Sequence, residues 1–247
     1  MQLDLGAGAG QPIELTFMPG EALISQAVTV IAVDDGTIEG PHSATIMYTA
    51  SSNDPNFNIS SPVETFVTIE DNDSVRVAEV RINDDDVQRS TIERIDVVFN
   101  TIVDLFPGAL ELINKTTNQT IPIAFGSTQM IDGRTVASVT YDATELVDGN
   151  YQIQIVSDFV SAGGFLLDGD ADGVAGENYV DSFYRLLGDS DGDRDVDAQD
   201  FGRFALTYLK GEGQDRFNSA FDFDRDGDVD GLDYGLFESR FSKSIPF

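Results

Sequence analysis

Short stretches of alternating apolar and polar residues, separated by Gly, Pro, Asn and Asp, extend along the chain to about residue 187. This period of two is typical of β-strands that bury one face, and the separating residues are typical of turns. Between residues 12 and 73 the pattern predicts strands at 13–17, 27–33, 44–49 and 65–69. Between residues 75 and 187 it predicts strands at 76–82, 95–99, 109–113, 121–124, 135–141 and 151–156. The second set favours an immunoglobulin-like β-sandwich.

The pattern changes near the C-terminus, where apolar residues recur with the period of a helix. Phe201, Phe204 and Tyr208 lie at i, i+3 and i+7, and the same spacing runs from Tyr234 to Phe241, an offset of 33 residues (201 to 234). This offset indicates a duplicated loop-plus-helix unit. Because neither helix alone can bury its apolar face, we expect both to share one small core. The predicted fold is mainly β with a small α-helical C-terminal module.

A twelve-residue acidic loop precedes each helix, at residues 189–200 (DSDGDRDVDAQD) and 222–233 (DFDRDGDVDGLD). The EF-hand calcium loop takes side-chain oxygens from positions 1, 3, 5, 9 and 12 and a backbone carbonyl from position 7. A solvated acidic tail requires no such spacing, so the loops predict Ca²⁺ sites resembling paired EF-hands. The predicted ligands are Asp189, Asp191, Asp193, Asp195, Asp197 and Asp200 in the first loop, and Asp222, Asp224, Asp226, Asp228, Asp230 and Asp233 in the second.

Positions 6 and 8 of the loops add two expectations. Position 6 usually needs glycine for a left-handed turn; it is Gly227 in the second loop but Arg194 in the first. A side chain there costs about 1 kcal/mol, so we expect the first site to be weaker. Position 8 is Val196 in one loop and Val229 in the other. We expect these valines to let the two loops pair back to back through a short strand contact.

A duplicated calcium loop with Asp at position 12 and one helix after each copy resembles the type I dockerin module, and the resemblance covers residues 188–243. It implies docking onto a cohesin-like protein domain that is selected in part by loop positions 10 and 11. In this chain those positions are Ala198 and Gln199, then Gly231 and Leu232, without the hydroxyl pairs common in the family. The resemblance therefore supports calcium binding more directly than it supports a cohesin partner.

Two upstream segments, 15–40 (LTFMPGEALISQAVTVIAVDDGTIEG) and 66–73 (FVTIEDND), resemble the C-terminal half of a Calx-β repeat. In that family acidic residues at one end of a β-sandwich bind Ca²⁺. The resemblance implies such a role for Asp34, Asp35, Glu39, Asp71 and Asp73. Pro41 and His42 stand where a second acidic pair is common, and acidic turn residues are the alternative interpretation.

A third acidic segment, DGDADGVAGENY at 168–179, has a partial calcium-loop pattern. Gly173 occupies position 6, but position 12 is Tyr179, so Glu177 or Asp181 would have to supply the closing carboxylate. A calcium site and a plain Asp-Gly turn both fit this segment. Its candidate ligands at positions 1, 3 and 5 are Asp168, Asp170 and Asp172.

Composition limits the remaining classes of function. The formal charge of −30 in 247 residues disfavours nucleic acid and anionic membranes as partners, and the lack of Cys excludes disulfides and thiolate metal sites. No run approaches the ~20 apolar residues of a membrane span. The first ten residues lack the features of a signal peptide. We expect the chain to be the C-terminal piece of a longer exported bacterial protein, because such calcium sites suit an extracellular setting.

No catalytic motif is recognisable, and His42 is the single histidine, so we expect no enzyme activity. The expected organisation is a partial Calx-β-like domain (1–74), an immunoglobulin-like sandwich (75–187) and a dockerin-like calcium-binding domain (188–247). The predicted function is a secreted or cell-surface module that folds on calcium and docks to a protein partner. The alternatives are a calcium-stiffened adhesive stalk and the appendage of a polysaccharide-degrading enzyme whose catalytic domain lies elsewhere.

Overall fold

The computed structural model describes residues 2–18, 20, 24–58 and 61–246. The chain divides into two compact units, residues 1–73 and residues 74–247. Five residues named in the sequence-based expectations lie outside the described residues. Residue 1 belongs to the N-terminal segment compared with a signal peptide, and residues 19 and 21–23 belong to the segment that resembles a Calx-β repeat.

Two antiparallel strand pairs form the regular structure of the first unit. Strand β1 (Gln2–Asp4) pairs with β2 (Ile31–Val33), and β3 (His42–Tyr48) pairs with β4 (Val63–Ile69). Strands β3 and β4 confirm the two later predictions for this segment. Residues 13–17, all of them described, form no strand. A strand needs a neighbour to receive its backbone hydrogen bonds, and alternation along one segment does not provide that neighbour.

The described part of the first unit buries little apolar surface. Ile69 is the buried hydrophobic side chain there, whereas Phe17, Phe57 and Phe66 are 54%, 68% and 71% exposed. Apolar burial is the dominant favourable contribution to folding. The described strands of this unit therefore gain little stability from a core of their own.

The second unit is an antiparallel β structure followed by two helices. Residues 74–246 form two four-stranded sheets, ordered β10-β11-β6-β5 and β15-β12-β8-β9, a three-stranded sheet β14-β13-β7 and the small pair β16-β17. The strands are β5 (Val77–Ile82), β6 (Ile95–Phe99), β7 (Asp104–Leu105), β8 (Leu110–Asn114), β9 (Gln119–Ile121), β10 (Ile123–Ile131), β11 (Arg134–Tyr141), β12 (Gly149–Ile155), β13 (Val160–Ala162), β14 (Phe165–Leu166), β15 (Tyr179–Arg185), β16 (Lys210–Gly211) and β17 (Asp228–Val229).

The four-stranded sheets bury the residues that alternation selects. Along β12, Tyr151, Ile153 and Ile155 are fully buried and alternate with partly exposed residues, and β6 is buried along its whole length. The ring of Tyr151 stacks on that of Phe183 in β15, with centroids 5.2 Å apart. The predicted mainly β character is confirmed, the paired strands are antiparallel, and the immunoglobulin-like topology stays a prediction.

The C-terminal helices are α1 (Ala198–Thr207) and α2 (Gly231–Glu238). Each begins with a capping box, in which the side chains of the N-cap Asp and of the Asp three residues later bond each other's backbone N–H. The predicted small helical region is thereby confirmed. No helix in the described chain is long and apolar enough to cross a membrane.

Polar bonds attach the C-terminal region, residues 188–247, to the β-sheets of the same unit. The Asp148 carboxylate accepts from Arg185 of β15 (3.0 Å) and from Arg240 beyond α2 (2.7 Å). The buried Ser90 hydroxyl donates to the Ala220 carbonyl (2.9 Å). The division at residue 187 stays a prediction, and both parts lie in one compact unit.

Candidate metal centre

The first acidic loop folds around the carboxylates at its two ends. Asp189, at position 1, accepts from the backbone N–H groups of Gly192 (2.7 Å) and Arg194 (3.1 Å). Asp200, at position 12, accepts from the N–H groups of Ser190 (2.7 Å) and Asp197 (2.9 Å). These bonds curl the loop so that its carboxylates face inward.

The second loop repeats this arrangement at an offset of 33 residues (189 to 222). Its position-1 and position-12 carboxylates again each accept two backbone N–H bonds. The donors to Asp222 are Asp226 (3.2 Å) and Gly227 (3.0 Å), and the donors to Asp233 are Phe223 (2.6 Å) and Asp230 (2.8 Å). The sequence duplication is therefore a duplication of loop geometry.

Carboxylates converge in both loops. Side chains at positions 1, 3 and 12 form one group and those at positions 7, 9 and 12 form a second, with the offered oxygens of each group within 4.8 Å of one another. The position-5 residues Asp193 and Asp226 belong to neither group and instead accept from the N–H of position 7, at 3.1 Å in both loops. The groups are Asp189, Asp191 and Asp200; Asp195, Asp197 and Asp200; Asp222, Asp224 and Asp233; and Asp228, Asp230 and Asp233.

Two shielded carboxylate oxygens of the first loop have no hydrogen-bond donor among the described residues. Asp189 and Asp200 are fully buried, and Asp191 Oδ1 and Asp195 Oδ1 are shielded from solvent without accepting a hydrogen bond from any described residue. Shielding an anionic oxygen without a partner is unfavourable. A hard cation that binds several oxygens would satisfy these atoms, so the residues present fit a calcium ion.

The charges in these loops repel one another. Burial raises the pKa of Asp189 and of Asp191, and the Asp200 charge raises both further. Loss of hydration, followed by neighbouring carboxylates, also raises the pKa of Asp224 and Asp228 in the second loop. Each shift means that the ionised loop is disfavoured when no cation lies among its carboxylates.

The position-8 valines are buried, but the loops do not pair with each other as expected. Val229 lies in β17, which pairs with β16 after α1, whereas the N–H of Val196 donates to the carbonyl of Lys243 after α2 (2.9 Å). Each loop thus pairs with the segment that follows the other copy's helix. The two copies are thus paired crosswise. The expected strand contact between the two position-8 valines is replaced by these crosswise contacts.

The two helical stripes share one core, as expected. Phe204 of α1 packs against Phe237 of α2 (centroids 5.1 Å apart) and against Phe221 (5.5 Å), and the buried position-8 valines complete the cluster. Phe201 and Phe241 lie at the margin and remain about half exposed. The core therefore connects both acidic loops.

The third loop differs from the other two because an arginine forms an ion pair with its position-1 carboxylate; the arginine beside the first loop, Arg203, instead lies 4.0 Å from Asp191 at position 3. Asp168 is buried and accepts from the N–H groups of Asp172 (3.1 Å) and Gly173 (3.0 Å) and from the Ser74 hydroxyl (2.6 Å). The Arg76 guanidinium lies 3.4 Å away. Burial acts to raise the pKa of Asp168, but these donors and Arg76 hold it below the usual value. A calcium ion here would compete with Arg76.

The carboxylates expected to close the third loop do not join its acidic group. Asp168, Asp170 and Asp172 do converge within 4.8 Å. The backbone carbonyl of Glu177 accepts from the Gly169 N–H (3.0 Å), and the Asp181 carboxylate accepts from the Tyr179 hydroxyl (3.4 Å). The loop is thus closed by its backbone, and its calcium role stays a prediction.

Gly169→Ala is expected to destabilise the protein by about 1–3 kcal/mol, because overpacking forces the backbone to shift. A Cβ on Gly169 would lie 2.3 Å from the backbone of Asn178 and Tyr179. Urea denaturation would measure the loss. Gly202→Ala in α1 is the control, since its Cβ meets no atom within 4 Å outside its own helix, and a gain of about 1 kcal/mol is expected. Equal midpoints for the two variants would contradict this packing.

Acidic side chains of the first unit accept hydrogen bonds from backbone N–H groups in turns. Asp71 accepts from the N–H groups of Glu39 and Gly40 (both 2.7 Å), and Asp35 accepts from the N–H of Thr37 (3.0 Å). The described part of this unit contains no group of three carboxylates at ligand distance. A calcium role stays a prediction for the full set, Asp34, Asp35, Glu39, Asp71 and Asp73.

The chain matches no protein-family model, no curated protein and no solved structure. The geometry of the acidic loops is therefore the basis for the functional proposal. That geometry includes one residue that sequence reasoning missed, Tyr184, whose hydroxyl donates to Asp189 Oδ2 (2.7 Å). Tyr184 lies in β15, which the alternation did not predict, and its distance from the loop follows no calcium-binding spacing.

Proposed function

We propose that residues 188–243 form a dockerin-like module that binds two calcium ions, one in each acidic loop. The observation that carries the proposal is the repetition at 33 residues of converging carboxylates held by equivalent backbone bonds, from positions 2 and 9 to position 12 and from position 6 to position 1. Carboxylate oxygens in a flexible loop suit Ca²⁺, which accepts six to eight ligands, better than Mg²⁺, which requires a compact octahedron.

The proposed consequence of calcium binding is a helical module that docks to a protein, with a cohesin-like domain as the candidate partner. Support comes from large apolar side chains on and beside the helices: Leu206 is 57% exposed, Leu209 70% and Leu232 64%. We propose that these leucines contribute to an exposed apolar patch, the kind of surface that commonly binds proteins. Leu232 is also position 11 of the second loop, where the dockerin resemblance places partner selection.

We assign the module to a secreted or cell-surface protein and assign it no catalytic role. Extracellular calcium is abundant enough to fill sites of sensor-like affinity.

A second candidate, a calcium-stiffened stalk, is favoured by the polar bonds that join the C-terminal region to the sheets. Docking requires a partner that chelation releases, whereas a stalk does not.

Calcium titration of the full chain by isothermal calorimetry, after treatment with chelator, tests this function. We expect Asp189→Ala and Asp222→Ala each to remove one tight binding event, because each lacks the position-1 carboxylate. Asp158→Ala, an exposed aspartate outside the loops, is the matched control and should leave the stoichiometry unchanged. Unchanged stoichiometry in both loop variants would refute calcium binding at these loops.

A further inference from the structure

Two positions in each C-terminal loop have a left-handed backbone. In the first loop they are Gly192 (φ 80°) and Arg194 (φ 76°), and in the second they are Arg225 (φ 60°) and Gly227 (φ 96°). Each loop therefore places one glycine and one arginine at positions 4 and 6, in opposite order. Because a side chain is disfavoured in this conformation at either position, the backbone of Arg194 does not by itself make the first site weaker.

The two arginines differ in what their side chains contact. The Arg194 guanidinium lies 4.2 Å from the centroid of the Tyr184 ring, and its Nη1 donates to Asn150 Oδ1 (2.9 Å). Asn150 and Tyr184 face each other across β12 and β15. Arg225 is exposed and makes no hydrogen bond or ion pair with the described residues. Arg194 is thus attached to the sheet, whereas Arg225 is not.

The ring beneath Arg194 also reaches the calcium site. The Tyr184 hydroxyl donates to Asp189 Oδ2 (2.7 Å), and the Arg194 N–H donates to the same oxygen (3.1 Å). Tyr184 is buried, so its hydroxyl has little freedom to move. A guanidinium stacks well on an aromatic face and at the same time donates hydrogen bonds from its edge, which an ammonium does not do equally.

We propose that Arg194 is a positioning residue for the first calcium site, an inference that rests on the calcium function proposed above. It fixes the loop against the paired ends of β12 and β15, where Asn150 and Tyr184 lie, and with Tyr184 it sets the position of the Asp189 oxygen. Calcium binding in the first loop and ordering of β15 are thereby coupled. Arginine at position 6 provides this attachment, which glycine lacks.

The test is a calcium titration of full-length Arg194→Gly, followed by hydrogen exchange in peptides that cover 189–200 and 222–233 separately. If position 6 required only a left-handed backbone, the first loop of Arg194→Gly would bind calcium more tightly than that of the wild type. The proposal predicts the opposite: half-protection of the first loop should need about five- to tenfold more calcium, with the second loop little changed. In the wild type, calcium should also increase protection of residues 179–185, and Arg194→Gly should lose that increase.

Two further variants make the comparison specific. Arg216→Gly replaces another left-handed arginine (φ 67°), exposed and outside the loops, and should leave the first-loop midpoint unchanged. Arg194→Lys retains the charge and the backbone strain without the planar group, and should weaken the first loop less than glycine does. If Arg194→Gly fails to fold, Arg194→Lys alone tests the proposal, and a wild-type midpoint in that variant overturns it.

The other results of the calcium titration and hydrogen exchange separate the positioning role of Arg194 from calcium binding itself. Equal or tighter binding by the first loop of Arg194→Gly overturns the positioning role and leaves calcium binding intact. Calcium-dependent protection of residues 179–185 that persists in that variant does the same. If the wild type shows no calcium-dependent protection in either loop, the calcium function fails and the positioning role fails with it.

Discussion

Removal of calcium with EGTA is expected to lower the free energy of unfolding of the C-terminal region by about 8 kcal/mol, relative to the protein in ~1 mM calcium. A sensor-like site with a Kd of ~1 μM contributes about 4 kcal/mol at that concentration, and the region has two proposed sites. A typical domain has a total stability of about 5–15 kcal/mol. The region should therefore lose most of its structure without the ion.

The physical reason is the repulsion among carboxylates within each loop. Asp189 and Asp200 are fully buried in the first loop, and burial and neighbouring charges raise the pKa of the surrounding acids. Because the ionised carboxylates are disfavoured in this arrangement, the loops should open without a divalent cation. Because the loops and helices share the core around Phe204, both helices should then unfold together.

Circular dichroism at 222 nm and differential scanning calorimetry would measure the effect. We expect EGTA to reduce the helical signal and to lower the unfolding temperature, and added calcium to restore both. Magnesium at the same concentration is the control and should restore little, because it binds flexible carboxylate loops poorly. An unchanged helical signal in EGTA would show that the loops fold without calcium.

The sheets of the second unit should also respond to calcium. Asp148 joins β15 to the chain after α2, and Ser90 bonds the carbonyl of Ala220. Loss of the C-terminal fold would take the Ala220 carbonyl from the buried Ser90 hydroxyl and Arg240 from Asp148, which would keep Arg185, and the loss at Ser90 is unfavourable. The main calorimetric transition should therefore move with calcium, although the two four-stranded sheets contain none of the twelve predicted C-terminal ligands.

The local features of the candidate metal site could be predicted from sequence because a twelve-residue acidic loop is a local structure. Spacing within twelve residues determines which carboxylates face inward, and the groups containing Asp189 and Asp222 converge as that spacing predicts. The alternation of β12 and the apolar stripe of α1 are equally local. Their periods follow from backbone geometry.

Contacts between distant segments could not be predicted from sequence. The crosswise pairing of the loops joins Val196 to residues after α2, and nothing in the spacing specifies which copy exchanges with which. The strand predicted at 13–17 is absent for a related reason, since pairing depends on a neighbour elsewhere in the chain. Arg76 reaches Asp168 across more than ninety residues (76 to 168), so compensation of the third loop's charge was also not foreseeable.

Phe204→Ala is expected to destabilise the C-terminal region by about 3–5 kcal/mol, the usual cost of removing a buried phenylalanine. Phe204 is 2% exposed, and its ring contacts those of Phe221, Tyr234 and Phe237. Because this core joins both loops, the variant should be partly unfolded at micromolar calcium. Higher calcium should restore the helical signal, since binding to the folded state shifts the folding equilibrium.

Phe201→Ala is the matched control, because it removes the same side chain from the same helix at a position that is 44% exposed. Its ring has one described aromatic contact, with Phe237 at 6.1 Å, so a loss below about 1 kcal/mol is expected. Calcium-dependent recovery of ellipticity, measured for both variants, separates the two positions: Phe204→Ala should need about 100-fold more calcium than wild type, and Phe201→Ala nearly the wild-type concentration. Coincident curves would mean that the shared aromatic core does not couple helix packing to calcium binding.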